Sequence, residues 1–420
     1  MRFGLSYHHQ LPRPWAEDSE ERLLKESLEQ IELADRIGID CVWATEHHFL
    51  EEYSHGSAPE VFLAAAAART KNIRLGHGIV SLPPAVNPPA RVAERLATLD
   101  LISGGRVEFG SGQGSSQLEL GAFNVDRATK REQWREALGV IVRLLTETPF
   151  TGHKGQWIDM PPRNLVPKPK QKPHPPLWVA CSVRETIETA ARNGLGALSF
   201  SFASPEQAKE RADAYYAIIN SEECVPAGLS VNPNFAVVMP LMCHHDEETA
   251  VDRGLEGAHF FAYTLMHYFV FGQHHPGTTD IWQTFQQTKE AMGFTRDPAP
   301  IDPSAEPDPM AQQMIDQLTA LRRGIGTPDQ ITAMLTEYEA AGVDQVVFQV
   351  QLGKTKHEHV MESLQLFADE VLPRFVEGRE EREAAKRERL SVPVKEALAR
   401  VEPASVDVSD YVIGNELSTS

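Results

Sequence analysis

The chain has 420 residues, 41% of them hydrophobic and 24% charged, which is an ordinary composition for a soluble globular protein. Its formal net charge of −19 repels phosphate backbones and argues against nucleic-acid binding. The sequence has no signal-peptide pattern and no apolar stretch long enough to span a bilayer, and its four cysteines form no CxxC pair. These features predict a cytoplasmic protein that binds neither nucleic acid nor membrane and has no zinc ribbon or disulfide framework.

Short apolar runs alternate with longer amphipathic runs, which is typical of repeated βα units. The predicted strands are Phe3–Tyr7, Cys41–Ala44, Ile73–Val80, Val107–Ser111, Leu177–Ala180, Gly196–Phe200, Phe235–Cys243 and Gln345–Val350. Eight such units predict a (β/α)8 TIM barrel. An open doubly wound sheet has the same inventory, but no glycine-rich turn follows the first strand as a dinucleotide fold requires.

Two segments fall outside this rhythm. Residues 270–322, just before the last βα unit, are rich in His, Pro, Gly and Asp and are too long for an idle loop, so they are a candidate lid. Residues 376–420 are charge-dense and then polar. The prediction is therefore a barrel over 1–375 with an insertion at about 270–322, followed over 376–420 by a charged, solvent-exposed helix and a polar tail.

The densest group of chemically active side chains follows the second predicted strand. Glu46, His47 and His48 lie in the segment WATEHHF, which a barrel puts at its carboxyl-end rim, where active sites lie. Imidazoles there donate hydrogen bonds or move protons near neutral pH. A zinc site is the alternative, but no HxH, HExxH or CxxC spacing accompanies these residues. We therefore predict a catalytic role and no metal.

Glycines follow the third and fourth strands. Gly76 and Gly78 flank His77, where small residues let a flat ring approach the backbone, although a tight turn explains them equally well. Gly110, Gly112 and Gly114 alternate after the fourth strand and expose backbone N–H groups to a ligand. Each stretch alone is weak, and their order after the histidines strengthens the interpretation.

Taken in order, these segments resemble the bacterial luciferase-like flavin-dependent monooxygenases. The similarity covers roughly residues 1–265 and 320–375. Its motifs, in chain order, are EHHF at 46–49, SAP at 57–59, IRLG at 73–76, LP at 82–83, LD at 99–100, GR at 105–106, GSG at 110–112, WVACS at 178–182 and GTP at 326–328.

The resemblance implies a two-component enzyme that uses FMN as FMNH2, with O2 as co-substrate and a separate NAD(P)H-dependent flavin reductase as partner. It implies oxidation of a small organic substrate through a flavin C4a-peroxide, a homodimer, and a non-proline cis peptide near Gly78–Ile79. His47 is then the catalytic histidine, supported by His48 and Glu46.

The resemblance and the residues together give two sets of site residues. The expected FMN contacts are Gly78, Gly112, Gln113, Cys181, Ser182 and Arg127. Arg131 is the alternative to Arg127. The aromatic segment 259–271 suggests an apolar or aromatic substrate, although helix packing explains it equally well. The expected substrate pocket is Tyr7, Trp43, Phe261 and Phe269.

The sequence departs from luciferase itself, since Gly112 occupies the position of its reactive cysteine and Gln113 replaces an arginine that contributes to flavin binding. Light emission from a long-chain aldehyde is therefore not expected. Three alternatives stay open: a deazaflavin-dependent dehydrogenase, a non-catalytic partner or flavin-binding subunit of luciferase type, and a metal-dependent hydrolase.

Overall fold

The computed structural model describes residues 1–114, 116–200, 203–296, 320–402 and 407–413. Within these residues, eight parallel strands form the centre of the fold: β1 (Arg2–Tyr7), β2 (Cys41–Ala44), β3 (Arg74–Ser81), β4 (Val107–Gly112), β5 (Leu177–Cys181), β6 (Gly196–Ser199), β7 (Phe235–Pro240) and β8 (Gln345–Gln349). They close into a barrel in the order β1-β8-β7-β6-β5-β4-β3-β2. The predicted TIM barrel is confirmed.

The helices alternate with these strands and cover the outside of the barrel. They are α1 (Ser19–Ile37), α2 (Pro59–Arg69), α3 (Pro89–Ile102), α4 (Gln117–Ala122), α5 (Lys130–Thr146), α6 (Arg184–Arg192), α7 (Pro205–Ile219), α8 (Glu247–Met266), α9 (Ile281–Thr288), α10 (Pro328–Ala340), α11 (His357–Leu366), α12 (Leu372–Val376) and α13 (Arg379–Ala399). Of the helices described here, none is both long and apolar enough to cross a bilayer. The Thr327 hydroxyl caps α10, with Pro328 at the first helical position.

Shorter elements complete the chain. Two-residue strands pair as His153–Lys154 with Asp159–Met160 and as Met242–Cys243 with Ile325–Gly326. The predicted strand over 235–243 is therefore interrupted, because Met242 and Cys243 leave the barrel for this second pair. A 3-10 turn spans Glu51–Tyr53, and π-helical turns span His267–Phe271 and Phe367–Val371.

Alternation along each strand divides the core into two layers. Phe3, Leu5 and Tyr7 of β1 belong to the large outer core between strands and helices. Trp43 and Trp178 belong to a smaller cluster inside the barrel, with ring centroids 5.3 Å apart. Gly76 leaves room for the Trp43 indole, since a Cβ there would overlap the ring. The barrel is thus filled by side chains below its carboxyl-end mouth.

The described part of the 270–322 insertion packs on α8. Ile281, Phe285 and Phe294 are buried against Phe260 and Tyr263. The part of the predicted insertion at 297–319 lies outside the described residues.

The carboxyl-terminal helix corrects one expectation. We expected the charged segment after the barrel to be solvated, but one side of α13 packs across the barrel's amino end. Leu390 and Ala397 are buried there. Lys386 Nζ donates to Asp344 Oδ1 at 2.6 Å, and Arg379 Nη1 donates to Asp40 Oδ1 at 2.7 Å. A charge-dense sequence predicts an exposed helix only where the rest of the protein offers no opposite charges. Here Asp344 and Asp40 at the amino end of the barrel pair with the cations of α13.

Candidate active site

The EHHF segment lies at the carboxyl-end mouth, immediately after β2. His47 Nδ1 lies 3.1 Å from Glu119 Oε1, and the backbone N–H of His48 donates to the same oxygen at 3.0 Å. Burial raises the pKa of Glu119, but His47 and these hydrogen bonds outweigh it and hold the pKa below its ordinary value. Because a carboxylate only accepts, neutral His47 carries its proton on Nδ1 and keeps a lone pair on Nε2.

A second histidine–carboxylate pair lies beside the first. His48 Nε2 is 2.8 Å from Glu46 Oε1, which also accepts from Asn87 Nδ2 at 2.7 Å, while Glu46 Oε2 accepts from the Ser81 N–H at 3.1 Å. Burial lowers the pKa of His48, but the Glu46 hydrogen bond and charge outweigh it and raise the pKa. Glu46 thus anchors His48 to the β3 end, and the partner of His47 is Glu119, which sequence reasoning missed.

Aromatic side chains form one wall of the mouth. The Tyr53 ring is 5.1 Å from His47, 5.4 Å from Phe261 and 6.1 Å from Phe269. The two phenylalanines predicted for the substrate pocket therefore lie within one ring layer of the His47–Glu119 pair. Tyr53 itself was missed, because it sits in a short turn whose sequence carries no periodic signal.

Another missed residue is His8, which lies against the same aromatic wall. Its ring is 6.0 Å from His47 and 4.9 Å from Phe261. Strand alternation could have found it: if Leu5 and Tyr7 face the helices, Ser6 and His8 face the barrel axis.

Two predicted pocket residues face elsewhere. Tyr7 is fully buried in the outer core, where its ring contacts Phe62 of α2 at 6.1 Å, so assigning it to the pocket was wrong. Trp43 points inward but fills the barrel below the mouth against Trp178, so it supports the pocket floor and does not line an opening. Both errors come from treating a strand end as one site, when successive side chains point to opposite faces.

The glycines predicted to contact FMN have close protein neighbours. The Gly78–Ile79 peptide is cis, and the β3–β4 register shifts there. A Cβ at Gly112 would lie 2.6 Å from Ile79 Cδ1, so glycine leaves room here for the Ile79 side chain. Gln113, directly after β4, is half-buried.

The residues predicted for the flavin phosphate lie at the ends of β5 and around α6. Ser182 is exposed, and its N–H donates to Thr186 Oγ1 at 3.2 Å. The Cys181 thiol, in contrast, is buried in the outer core, so only the backbone of this residue remains available. Burial raises its pKa to about 12. Thiolate chemistry at Cys181 is therefore not expected.

The basic side chains near the predicted phosphate site differ in their surroundings. Arg127 is exposed on the turn before α5. Arg131 reaches α6, where its guanidinium donates to Glu185 Oε1 at 2.7 Å and Thr189 Oγ1 at 3.1 Å. Lys130 Nζ donates to the Gly114 carbonyl at 2.7 Å. Arg131 is thus the one that reaches the helix after β5, and the phosphate contact of Arg127 stays a prediction. Across the residues described, no group of three or more His, Cys, Asp or Glu side chains is arranged to hold a metal ion.

Comparison with known proteins fits this geometry. The profile of the luciferase-like monooxygenase family matches residues 1–345. The chain belongs to this family. Its members are flavin-dependent oxidoreductases, as the resemblance implied.

Relatives within this family differ in the flavin they use. The chain is 25% identical over 390 residues to the oxygenase component of a flavin-dependent trigonelline monooxygenase from Acinetobacter baylyi, covering 92% of this chain and 98% of that protein. It resembles the oxygenating constituent of 3,6-diketocamphane monooxygenase from Pseudomonas putida, solved with FMN, with a TM-score of 0.64, 23% identity and coverage of 89% and 98%. It also resembles a coenzyme F420-dependent tetrahydromethanopterin reductase from Methanopyrus kandleri, with a TM-score of 0.60, 21% identity and coverage of 89% and 99%.

Proposed function

We propose that this chain is the oxygenase component of an FMNH2- and O2-dependent monooxygenase that oxidises a small apolar or aromatic substrate. In this proposal a separate NAD(P)H-dependent reductase supplies the reduced flavin, as the oxygenase-component relative suggests. The observation that carries the proposal is the His47–Glu119 pair beside the aromatic wall of the mouth. Assembly as a homodimer stays a prediction.

The side chains at the mouth suit a flavin ring, which has an apolar edge and an edge of alternating donors and acceptors. The aromatic wall offers apolar contact to the first edge. Gln349 Oε1 and Ser6 Oγ are buried and have no hydrogen-bond partner among the described residues, so they offer contacts to a polar ligand edge. When bound, reduced FMN would supply the electrons that activate O2.

The chain's own residues have distinct roles in this proposal. His47 Nε2 accepts or returns a proton at the mouth, while Glu119 fixes the ring through Nδ1. The Glu46–His48–Asn87 network holds the loop that carries His47. Tyr53 and Phe261 exclude water from the same space, which strengthens every polar contact inside it.

Hydride transfer with a deazaflavin is the alternative, favoured by the likeness to the F420-dependent reductase. The two functions separate in one experiment. Binding of FMN and of coenzyme F420 is titrated by fluorescence, and O2 uptake is followed with a generic flavin reductase, FMN, NADH and a screen of small aromatic ketones, aldehydes and hydrocarbons. The proposal predicts FMN binding and substrate-dependent O2 uptake. Preferential binding of F420, with no product oxygenated, would replace it with the dehydrogenase.

A further inference from the structure

A histidine that no comparison assigns stands in the aromatic wall of the mouth. His8 is the residue after β1 and is 3% exposed. The rings of Phe261, Tyr53 and Phe200 meet it edge-on at 4.9, 5.5 and 6.4 Å, and the His47 ring lies 6.0 Å away at an interplanar angle of 22°. His8 is therefore a polar group set into the apolar wall, facing the same space as His47.

The protonation of His8 follows from its surroundings. Burial, and then the neighbouring His47 and His9, lower its pKa well below the ordinary value, so the ring is neutral at neutral pH. The amide nitrogen of Gln349 lies 3.5 Å from Nδ1. Because an amide N–H only donates, Nδ1 accepts and the ring proton sits on Nε2.

The donor on Nε2 has no use inside the protein. Among the residues that the structure describes, none accepts a hydrogen bond from it, and the ring's one hydrogen-bonding neighbour is Gln349. A donor that the described protein leaves free beside aromatic rings is available to a ligand that carries an acceptor. Rings surround it on the other sides, so the ligand that reaches it is itself mostly apolar.

From these contacts we propose that His8 is a specificity-determining residue that donates from Nε2 to an oxygen of the substrate. The substrate class is then a small, mainly apolar molecule carrying one carbonyl or hydroxyl oxygen, held with that oxygen on His8 and its apolar body against Tyr53 and Phe261. This inference rests on the proposed function, since it puts the substrate in the same mouth as His47.

Two probes of nearly equal shape test the hydrogen bond directly. Acetophenone and α-methylstyrene differ in having C=O or C=CH2, and their affinities are measured by equilibrium dialysis on the full chain saturated with oxidised FMN. The readout is the ratio of ketone to alkene affinity, compared among wild type, His8→Phe and His77→Phe. His77 is the matched control because it is also a buried histidine near the carboxyl end, but its ring faces Phe109 in the outer core.

We expect His8→Phe to lower the ketone-to-alkene ratio about five- to tenfold, the effect of one neutral hydrogen bond, with FMN affinity within about twofold of wild type. His77→Phe should keep the wild-type ratio. Equal ratios in all three proteins, binding of neither probe to wild type, or a tenfold loss of FMN affinity in His8→Phe would overturn the proposal; the last result would make His8 a cofactor contact.

Failure of the proposed function looks different. If the ketone-to-alkene ratio depends on His8 but reduced FMN supports no O2 uptake, the hydrogen bond from His8 to the substrate's oxygen atom stands and the monooxygenase assignment is wrong.

Discussion

The two ends of the barrel differ in how their polar side chains are paired. At the amino end, the charges of α13 and the barrel are paired with one another: Arg2 with Glu383, Arg379 with Asp40, and Lys386 with Asp344. A cavity of about 990 Å³ lies there. At the carboxyl end, His8 Nε2 has no partner among the described residues, and His47 is held through one nitrogen with the other left available.

Under the proposed function, the site is recognised by unpaired polar groups beside aromatic rings, and the cavity at the amino end is not part of it. At the amino end the ion pairs hold α13 in place, although Arg379 Nε and Nη2 are buried there without a hydrogen-bond partner among the described residues. The mouth has buried polar atoms that the described protein does not satisfy, beside rings that repel water. Unsatisfied groups of this kind point to a ligand.

The largest expected effect on activity is at His47, at the carboxyl end. His47→Ala should lower turnover of the best substrate from the screen of ketones, aldehydes and hydrocarbons about 100- to 1,000-fold, because the proton-transfer group is lost. FMN affinity, measured by fluorescence titration, should stay within about twofold. Full turnover in this variant would remove His47 from the chemistry.

Glu119→Gln should have the next largest effect. A neutral amide orients the His47 ring less firmly, so kcat should fall about 10- to 100-fold while KM changes little. Glu136→Gln is the matched control, because Glu136 Oε1 lies 3.1 Å from His153 Nε2 in a similar pair away from the mouth. If both variants keep wild-type kcat, Glu119 is not a positioning residue.

The amino end should show the reverse behaviour. Lys386→Met leaves Asp344 short of its cation, and we expect about 1–3 kcal/mol lower stability in urea unfolding with unchanged kcat. Arg387→Met, one residue along α13, removes an exposed cation 3.7 Å from Glu383 and should change neither. A loss of kcat in Lys386→Met at full folding would contradict the division between the two ends.

The last test is a pH dependence of stability, which is expected to leave the mouth unchanged. Burial lowers the pKa of His77 to about 4, so below pH 6.5 the unfolded chain binds a proton that the folded chain refuses. Stability is therefore lost as the pH falls from 6.5 towards 4, by about 1.4 kcal/mol per pH unit. The stability of His77→Phe should fall less steeply than that of wild type over this range. Above pH 7 the two stabilities should change with pH in the same way. Parallel unfolding curves at every pH would show that His77 titrates normally.

Much of the fold could be predicted because its signals are local. Each strand is a short apolar run bounded by polar or glycine-rich turns, and Thr327 and Pro328 announce α10 directly. The EHHF segment could be found because its residues are contiguous. Glu119 could not, since it comes 72 residues after His47 and lies between Leu118 and Leu120 like any partly buried helix residue.

Side-chain direction was the main source of error at the site. Tyr7 and His8 are adjacent in sequence, yet one faces α2 and the other faces the mouth. The packing of α13 on the barrel was missed for a different reason. Its counter-charges Asp40 and Asp344 belong to different βα units, 339 residues before Arg379 and 42 residues before Lys386, and become neighbours only once the barrel closes.

The most direct test of the central claim is a crystal structure of the chain soaked with FMN. The flavin ring should lie at the carboxyl-end mouth, in contact with His47 and the Tyr53–Phe261 wall. Flavin density in the amino-end cavity beneath α13, with the mouth closed by its own side chains, would contradict it.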